Sequence, residues 1–313
     1  MKHTKTNSKE IRNKFKGVWP ALITPIGPDG EPEFTQLEKL TDIIISQKMD
    51  GIYLLGSTGQ GILLTEAQRK KVAEVVLSMN DDRLPVMVQV GAMTTAESIR
   101  LAQHAAQHGA SGISSVGPIY YGGGSQTMAL THYRSIAQAS DLPFFPYQLG
   151  EVSFNGGVTK FIDAVLDIPN VGGMKLTTTN LLQISEFSAN SRGALILFSG
   201  ADELMCHAAM CGTSGAIGSM YNLWGPECQR VRKAFLRGDV TLGTDFMMIF
   251  QEVIIRILPN FWTFLRQAMQ FRYGIDVGMA LPPLGNNNEL WTEQEVQSLV
   301  ERVIEAANAK ITA

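Results

Sequence analysis

Short apolar runs recur along the chain at 18–25, 51–56, 86–90, 113–117, 144–149, 172–176, 195–198 and 215–219. Each is only a few residues long, and such runs suit strands of a parallel sheet covered on both faces. The stretches between them carry helical periodicity and helical start signals. Thr35-Gln-Leu-Glu38, Thr65-Glu-Ala-Gln68 and Thr94-Thr-Ala-Glu97 each place a threonine three residues before an acid or amide. That spacing lets hydroxyl and carboxyl satisfy free N–H groups at a helix start. After Thr65, Val72, Val75, Val76 and Met79 define one apolar face. Gly109, Gly212 and Gly238 stand where helices should stop.

Eight such units with short connections predict a (β/α)8 TIM barrel of class α/β. The rival open doubly wound sheet lacks its fingerprint, because Gly56-Ser-Thr-Gly-Gln-Gly61 does not have the G-x-G-x-x-G spacing. The eighth unit ends near Gly238, and the rest reads as helical throughout. Thr292-Glu-Gln-Glu295 opens a last helix with Val296, Leu299, Val300 and Val303 on one face. The expected organisation is a loose tail over 1–15 and one domain over 16–313. That domain divides into a barrel to about 238 and a helical extension over about 239–313.

Composition narrows the function. The chain of 313 residues is 45% hydrophobic with net charge −3, enough for a large core and without a basic stripe for nucleic acid. The polar, basic start has no secretory apolar stretch, and no apolar run is long enough for a membrane span. A cytoplasmic enzyme acting on a small molecule is the expectation. Cys206, Cys211 and Cys228 form no C-x-x-C pair, which fits buried thiols in a reducing compartment. The five histidines show no H-E-x-x-H or similar ligand spacing, so no metal is expected.

Lys175 interrupts this pattern. It lies in Val171-Gly-Gly-Met-Lys-Leu-Thr177, at the C-terminal end of the sixth strand, where barrel active sites open. No other lysine falls in a strand run. An unperturbed lysine is under about 0.1% neutral amine at pH 7. Partial burial disfavours the ammonium and favours the nucleophile that a carbonyl substrate needs. Other strand ends offer partners. Ser57 and Thr58 sit between glycines, with hydroxyls and N–H groups suited to a carboxylate. Pro118-Ile-Tyr120-Tyr121 and Pro146-Tyr147 bring phenols. Each of these features alone also fits ordinary packing. Three tyrosines at two strand ends, facing a lysine on a third, suit proton transfer.

These pieces resemble the dihydrodipicolinate synthase / N-acetylneuraminate lyase superfamily. The resemblance runs from Gly17 onward through Gly56-Ser-Thr-Gly59, Pro118-Ile-Tyr-Tyr121, Tyr147, Gly173-Met-Lys175 and Gly215-Ala-Ile-Gly-Ser-Met-Tyr-Asn222. It implies a barrel with a helical extension, a homotetramer, no cofactor, and a Schiff-base lysine acting on pyruvate. It implies that Lys175 forms the imine and that Ser57 and Thr58 hold the pyruvate carboxylate. Tyr147 would be the acid/base, with Tyr120 completing a relay through Ser57. Thr177, the stretch Gly200-Ala-Asp202-Glu203, and Gly218-Ser219 lean toward the lyase branch, with polar groups for sugar hydroxyls. The arginine that the synthase branch carries after its tyrosine is missing from Tyr147-Gln-Leu-Gly-Glu-Val-Ser-Phe.

Three departures concern the substrate more than the imine. Gln60 replaces a glutamate, Gly150 replaces a proline and should loosen its loop, and Gly122-Gly-Gly124 replaces a bulkier loop. The alternatives are another 2-keto-3-deoxy sugar acid aldolase or dehydratase, a dihydrodipicolinate synthase-like enzyme, or a barrel that only binds a keto acid.

Overall fold

A computed structural model of the protein describes residues 8–120, 126–150, 154, 156–284 and 289–309. Eight strands form, each within or overlapping its expected run. They are β1 (Gly17–Pro20), β2 (Ile52–Leu54), β3 (Val86–Gln89), β4 (Gly112–Val116), β5 (Phe144–Leu149), β6 (Gly173–Thr177), β7 (Ile196–Ser199) and β8 (Gly215–Gly218). Every neighbouring pair is parallel, in the order β1-β8-β7-β6-β5-β4-β3-β2. The ring closes where Leu22 N–H donates to Tyr53 O at 2.8 Å, beside a parallel bridge between Ala21 and Tyr53. A closed ring leaves no unpaired sheet edge. The fold is a (β/α)8 barrel.

Helices α1 (Ser8–Lys14), α2 (Phe34–Ser46), α3 (Glu66–Asn80), α4 (Thr95–Gln107), α5 (Gln126–Ala137), α6 (Gly157–Leu166), α7 (Leu181–Ser191), α8 (Met205–Met210) and α9 (Tyr221–Leu236) accompany the strands. Thr65 makes a full capping box with Gln68, and Thr94 accepts from Glu97 N–H. Gly109, Gly212 and Gly238 all have positive φ just past helix ends. The α2 start differs from expectation. Glu33, not Thr35, is the cap, and its carboxylate accepts from Thr35 N–H at 3.0 Å. The reason is the preceding turn, whose Ile26–Pro32 bridge delivers Glu33 to the helix entry. The α3 face is also rotated. Val72, Ala73, Val76 and Leu77 are buried, while Val75 and Met79 are only partly so. Arg69 takes a place on that buried face by donating to Gln89 O at 2.9 Å and Gly91 O at 3.0 Å.

The barrel floor is aromatic. Phe15, Trp19, Phe145 and Phe198 fill its N-terminal end with Tyr53, Met87, Ile196 and Ile217. Glycines make the room. A Cβ at Gly51 would meet the Trp19 ring, one at Gly112 the Phe15 ring, and one at Gly215 the Phe198 ring. Phe15 stacks on Trp19 with centroids 5.6 Å apart and tilts against Phe145 at 4.8 Å. The expected tail therefore stops short of residue 15. Ser8–Lys14 is helical and Phe15 is 1% exposed, because the open floor of the barrel offers this ring an apolar seat.

Beyond α9 lie α10 (Val240–Ile257), α11 (Phe261–Tyr273) and α12 (Glu293–Asn308). Thr292 and Glu295 form the expected capping box, and Val296, Leu299, Val300 and Val303 are buried. Trp224 of α9 donates to Val300 O at 3.2 Å, tying the extension to the barrel. The extension is not helical throughout. Gly274 ends α11 with φ of 68°, and the chain returns to bridge Gly278 with Ile26.

Replacing Phe15 by Ala should destabilise the protein by about 3–5 kcal/mol, because the barrel floor cannot collapse around the lost ring. Urea denaturation measures this, and a loss under about 1 kcal/mol would contradict the role given to Phe15.

Candidate active site

Strand β6 alternates in a way that sets the site. Met174 and Leu176 face outward into a cluster with Phe161, Ile162, Ile184 and Phe187 of α6 and α7. Gly173, Lys175 and Thr177 therefore face the barrel interior. A Cβ at Gly173 would collide with Ile196 O, so that position must be glycine. Lys175 is 4% exposed, two residues nearer the open end.

The β5–β6 register pairs Tyr147 directly with Lys175. The Lys175 Nζ lies 4.3 Å from the Tyr147 ring centroid and 4.3 Å from that of Tyr53. Two aromatic faces thus flank the amine. Thr177 Oγ1 donates to the Tyr147 hydroxyl at 3.3 Å. Burial alone would raise the Tyr147 phenol. The nearby Lys175 charge, with hydrogen bonds from Thr177, Ser57 and Lys175, outweighs burial and lowers it below its ordinary value. The phenol is therefore readier to give up its proton.

Tyr53 went unnoticed in the sequence. Its ring forms the other wall beside Lys175, and its buried hydroxyl donates to Ser114 Oγ at 3.2 Å. The available signal was a tyrosine inside the otherwise aliphatic Ile-Tyr-Leu-Leu run.

After β2 the chain turns tightly. Gln60 N–H donates to Ser57 O at 3.0 Å and Gly61 N–H to Gly56 O at 3.2 Å. Gly59 packs so close that a Cβ would sit 2.8 Å from Leu22 O. Among the described residues, the N–H groups of Ser57 and Thr58 donate to no protein acceptor. Thr58 Oγ1 and Ser219 Oγ lie 2.6 Å apart, joining the turn after β2 to the end of β8.

A cavity of about 380 Å³ opens at the C-terminal ends of β5, β6 and β7, lined by Thr177, Gly200, Asp202 and Glu203 among others. Gly200 admits it, because a Cβ there would overlap the Thr177 hydroxyl and crowd Lys175 Cε at 3.1 Å. Gly218 similarly makes room for Asp202. Asp202 Oδ2 accepts from Ser219 N–H at 3.0 Å and Met220 N–H at 3.1 Å, while its buried Oδ1 has no partner. Burial, with help from the Glu203 charge, pushes this carboxyl up to about 7 against the pull of its hydrogen bonds and Lys175.

The structure thus gathers Lys175, Tyr147, Ser57 and Thr177 in one cluster, with Thr58, Ser219, Gly218, Gly200, Asp202 and Glu203 around it. Tyr120 is 75% exposed beyond the end of β4, and Ser57 is likewise exposed on the turn after β2, whereas Lys175 and Tyr147 are buried. Tyr121 and Gly122–Gly124 lie outside the described residues. Gly150 takes a conformation specific to its own position. Its N–H donates to Thr177 O at 2.9 Å and its φ is 79°, neither of which a proline permits. Gln60 is buried at φ 54°, and its Oε1 accepts from Leu281 N–H at 2.6 Å. The replaced carboxylate is thus an amide that anchors the C-terminal segment.

The raised Asp202 carboxyl gives a pH prediction. The folded state favours its protonated form, so its contribution to stability is complete below the ordinary value of 3.8 and is lost as pH rises to about 7. Asp202→Asn should therefore gain stability relative to the parent between pH 4 and 7, then level off. Denaturant melts across pH 4–8 check this, and a constant difference would refute it.

The Dihydrodipicolinate synthetase family model matches residues 14–306. An N-acetylneuraminate lyase 2 of Escherichia coli O6:H1 is 33% identical over 248 residues, covering 79% of this chain and 81% of its own length. The N-acetylneuraminate lyase of Shigella boydii serotype 4 is 28% identical over 297 residues, 94% of this chain and 99% of that one. Among solved structures, the N-acetylneuraminate lyase of Aliivibrio salmonicida superposes with a TM-score of 0.82 at 27% identity, covering 95% of this chain and 98% of the other. That of Mycoplasma synoviae superposes with a TM-score of 0.81 at 25% identity, covering 94% and 98%. The family match spans nearly the whole barrel and its extension, and this chain belongs to the dihydrodipicolinate synthetase family.

Proposed function

We propose that this protein is a class I pyruvate aldolase of the N-acetylneuraminate lyase type. The buried Lys175–Tyr147 pair, near the open end of the barrel where Thr177 borders the cavity, carries this reading. The lyase names of the relatives favour it over the other members of the superfamily.

In the cleavage direction, the neutral Lys175 amine attacks the C2 keto carbon, and loss of water gives a protonated imine. The imine accepts the electron pair when the C3–C4 bond breaks. That requires a proton to leave the C4 hydroxyl, and Tyr147, its phenol eased toward ionisation, is placed to take it. An aldehyde departs and an enamine remains. Protonation at C3 and hydrolysis then release pyruvate and restore the amine. The free N–H groups of Ser57 and Thr58 suit the pyruvate carboxylate. Thr177, Asp202, Glu203 and Ser219 offer hydrogen bonds to a polyhydroxylated aldehyde portion, with Gly200 and Gly218 leaving space. The family resemblance adds Tyr120 to this relay through Ser57, with its phenol exposed at the rim of the barrel. The homotetramer and cytoplasmic location implied by the family complete this proposal. No described helix is long and apolar enough to cross a membrane.

Borohydride reduction in the presence of pyruvate should tag Lys175 covalently, read by peptide mass spectrometry. An unmodified Lys175 peptide would sink the Schiff-base mechanism. Tyr147→Phe should lower kcat for sialic acid cleavage by about 100-fold or more while the protein stays folded. Unchanged turnover would remove Tyr147 from the proton path.

A further inference from the structure

On the outer face of the barrel, far in function from Lys175, three ligand-type side chains meet between α3 and α4. His104 lies in the last turn of α4, and His108, four residues on, is the residue that caps its C-terminus. The expectation that the histidines lack ligand spacing is corrected here, because His104-Ala-Ala-Gln-His108 supplies a helical pair. Glu74 reaches them from α3. Its Oε1 lies 3.1 Å from His104 Nε2, and ligand atoms of all three residues fall within 4.8 Å of one another. The imidazoles lie 4.1 Å apart, centroid to centroid.

We propose that Glu74, His104 and His108 form a binding site for a divalent transition-metal cation, with Zn²⁺ as its representative. Two imidazole nitrogens and one carboxylate oxygen are a donor set such ions accept, leaving a fourth position for water. Ligand atoms around tetrahedral zinc are separated by about 3.3 Å, given bond lengths of about 2.0–2.1 Å. The His104–Glu74 separation already fits, and the proton that His104 Nε2 now donates to Glu74 passes to Nδ1 when the metal takes its place. The exposed His108, at the end of α4, supplies the remaining movement. Its tautomer is set for the task. His108 Nδ1 lies 2.9 Å from His104 O, a carbonyl that can only accept. The proton therefore sits on Nδ1, and Nε2 presents its lone pair. Lys71 Nζ, 3.5 Å from Glu74 Oε2, leaves Oε1 to the metal. Occupancy would staple α3 to α4.

The test is calorimetric titration of chelator-treated, full-length protein with Zn²⁺, with Co²⁺ absorption as a second probe. The expected result is one Zn²⁺ per chain, bound at least tenfold more weakly by both His108→Ala and Glu74→Ala. Both variants should keep aldolase turnover, showing that they fold. An absence of saturable Zn²⁺ binding, or parental affinity in either variant, overturns the site.

Discussion

The pairing of Tyr147 on β5 with Lys175 on β6 is the constraint around which the site is built. Parallel neighbours in register point their side chains the same way. The amine and the phenol are therefore held together by backbone hydrogen bonds rather than by flexible loops. Tyr53, inward-facing on β2, closes the other side of the amine. The amine thus sits between two aromatic faces, with polar contact confined to the open end of the barrel. Its charge also lowers the Tyr147 phenol, so the nucleophile itself prepares the proton acceptor beside it.

That arrangement needs a barrel that is solid beneath it. Aromatic rings seated against glycines fill the floor from Phe15 to Phe198, which keeps water out from below. The same large-against-small complement recurs at the active end. Gly200 and Gly218 yield space to Thr177 and Asp202, so polar side chains rather than apolar ones border the cavity. Two of the departures from the family, Gly150 and Gln60, serve local geometry. Gly150 holds a positive φ while donating to Thr177, and Gln60 fastens the segment around Leu281 over the turn after β2.

Local signals were read well where a single turn of chain decides the outcome. The Thr65 and Thr292 capping boxes formed as spaced, because both partners lie within one helical turn. Thr35 failed as a cap because the Ile26–Pro32 bridge, a contact outside the helix, fixed where α2 begins. Phe15 carries no local signal of its place, because nothing beside it in sequence reveals an open barrel floor. The pair His104–His108 was visible as spacing, but Glu74, 30 residues earlier, joins it only through helix packing.

By itself, the sequence determined the alternation of strand and helix, the eightfold count, and Lys175 as the one lysine in an apolar strand run. Those properties follow from hydrophobic periodicity and from the cost of burying a charge, both local to a few residues. It also named Tyr147, Ser57 and Thr58 as partners through their place at strand ends. Only the tertiary structure decided which of these meet. Strand register set Tyr147 against Lys175, brought Tyr53 into the site, and left Tyr120 exposed at the rim. Register and closure depend on hydrogen bonds between segments distant in sequence, and a one-residue slip would turn every side chain to the other face.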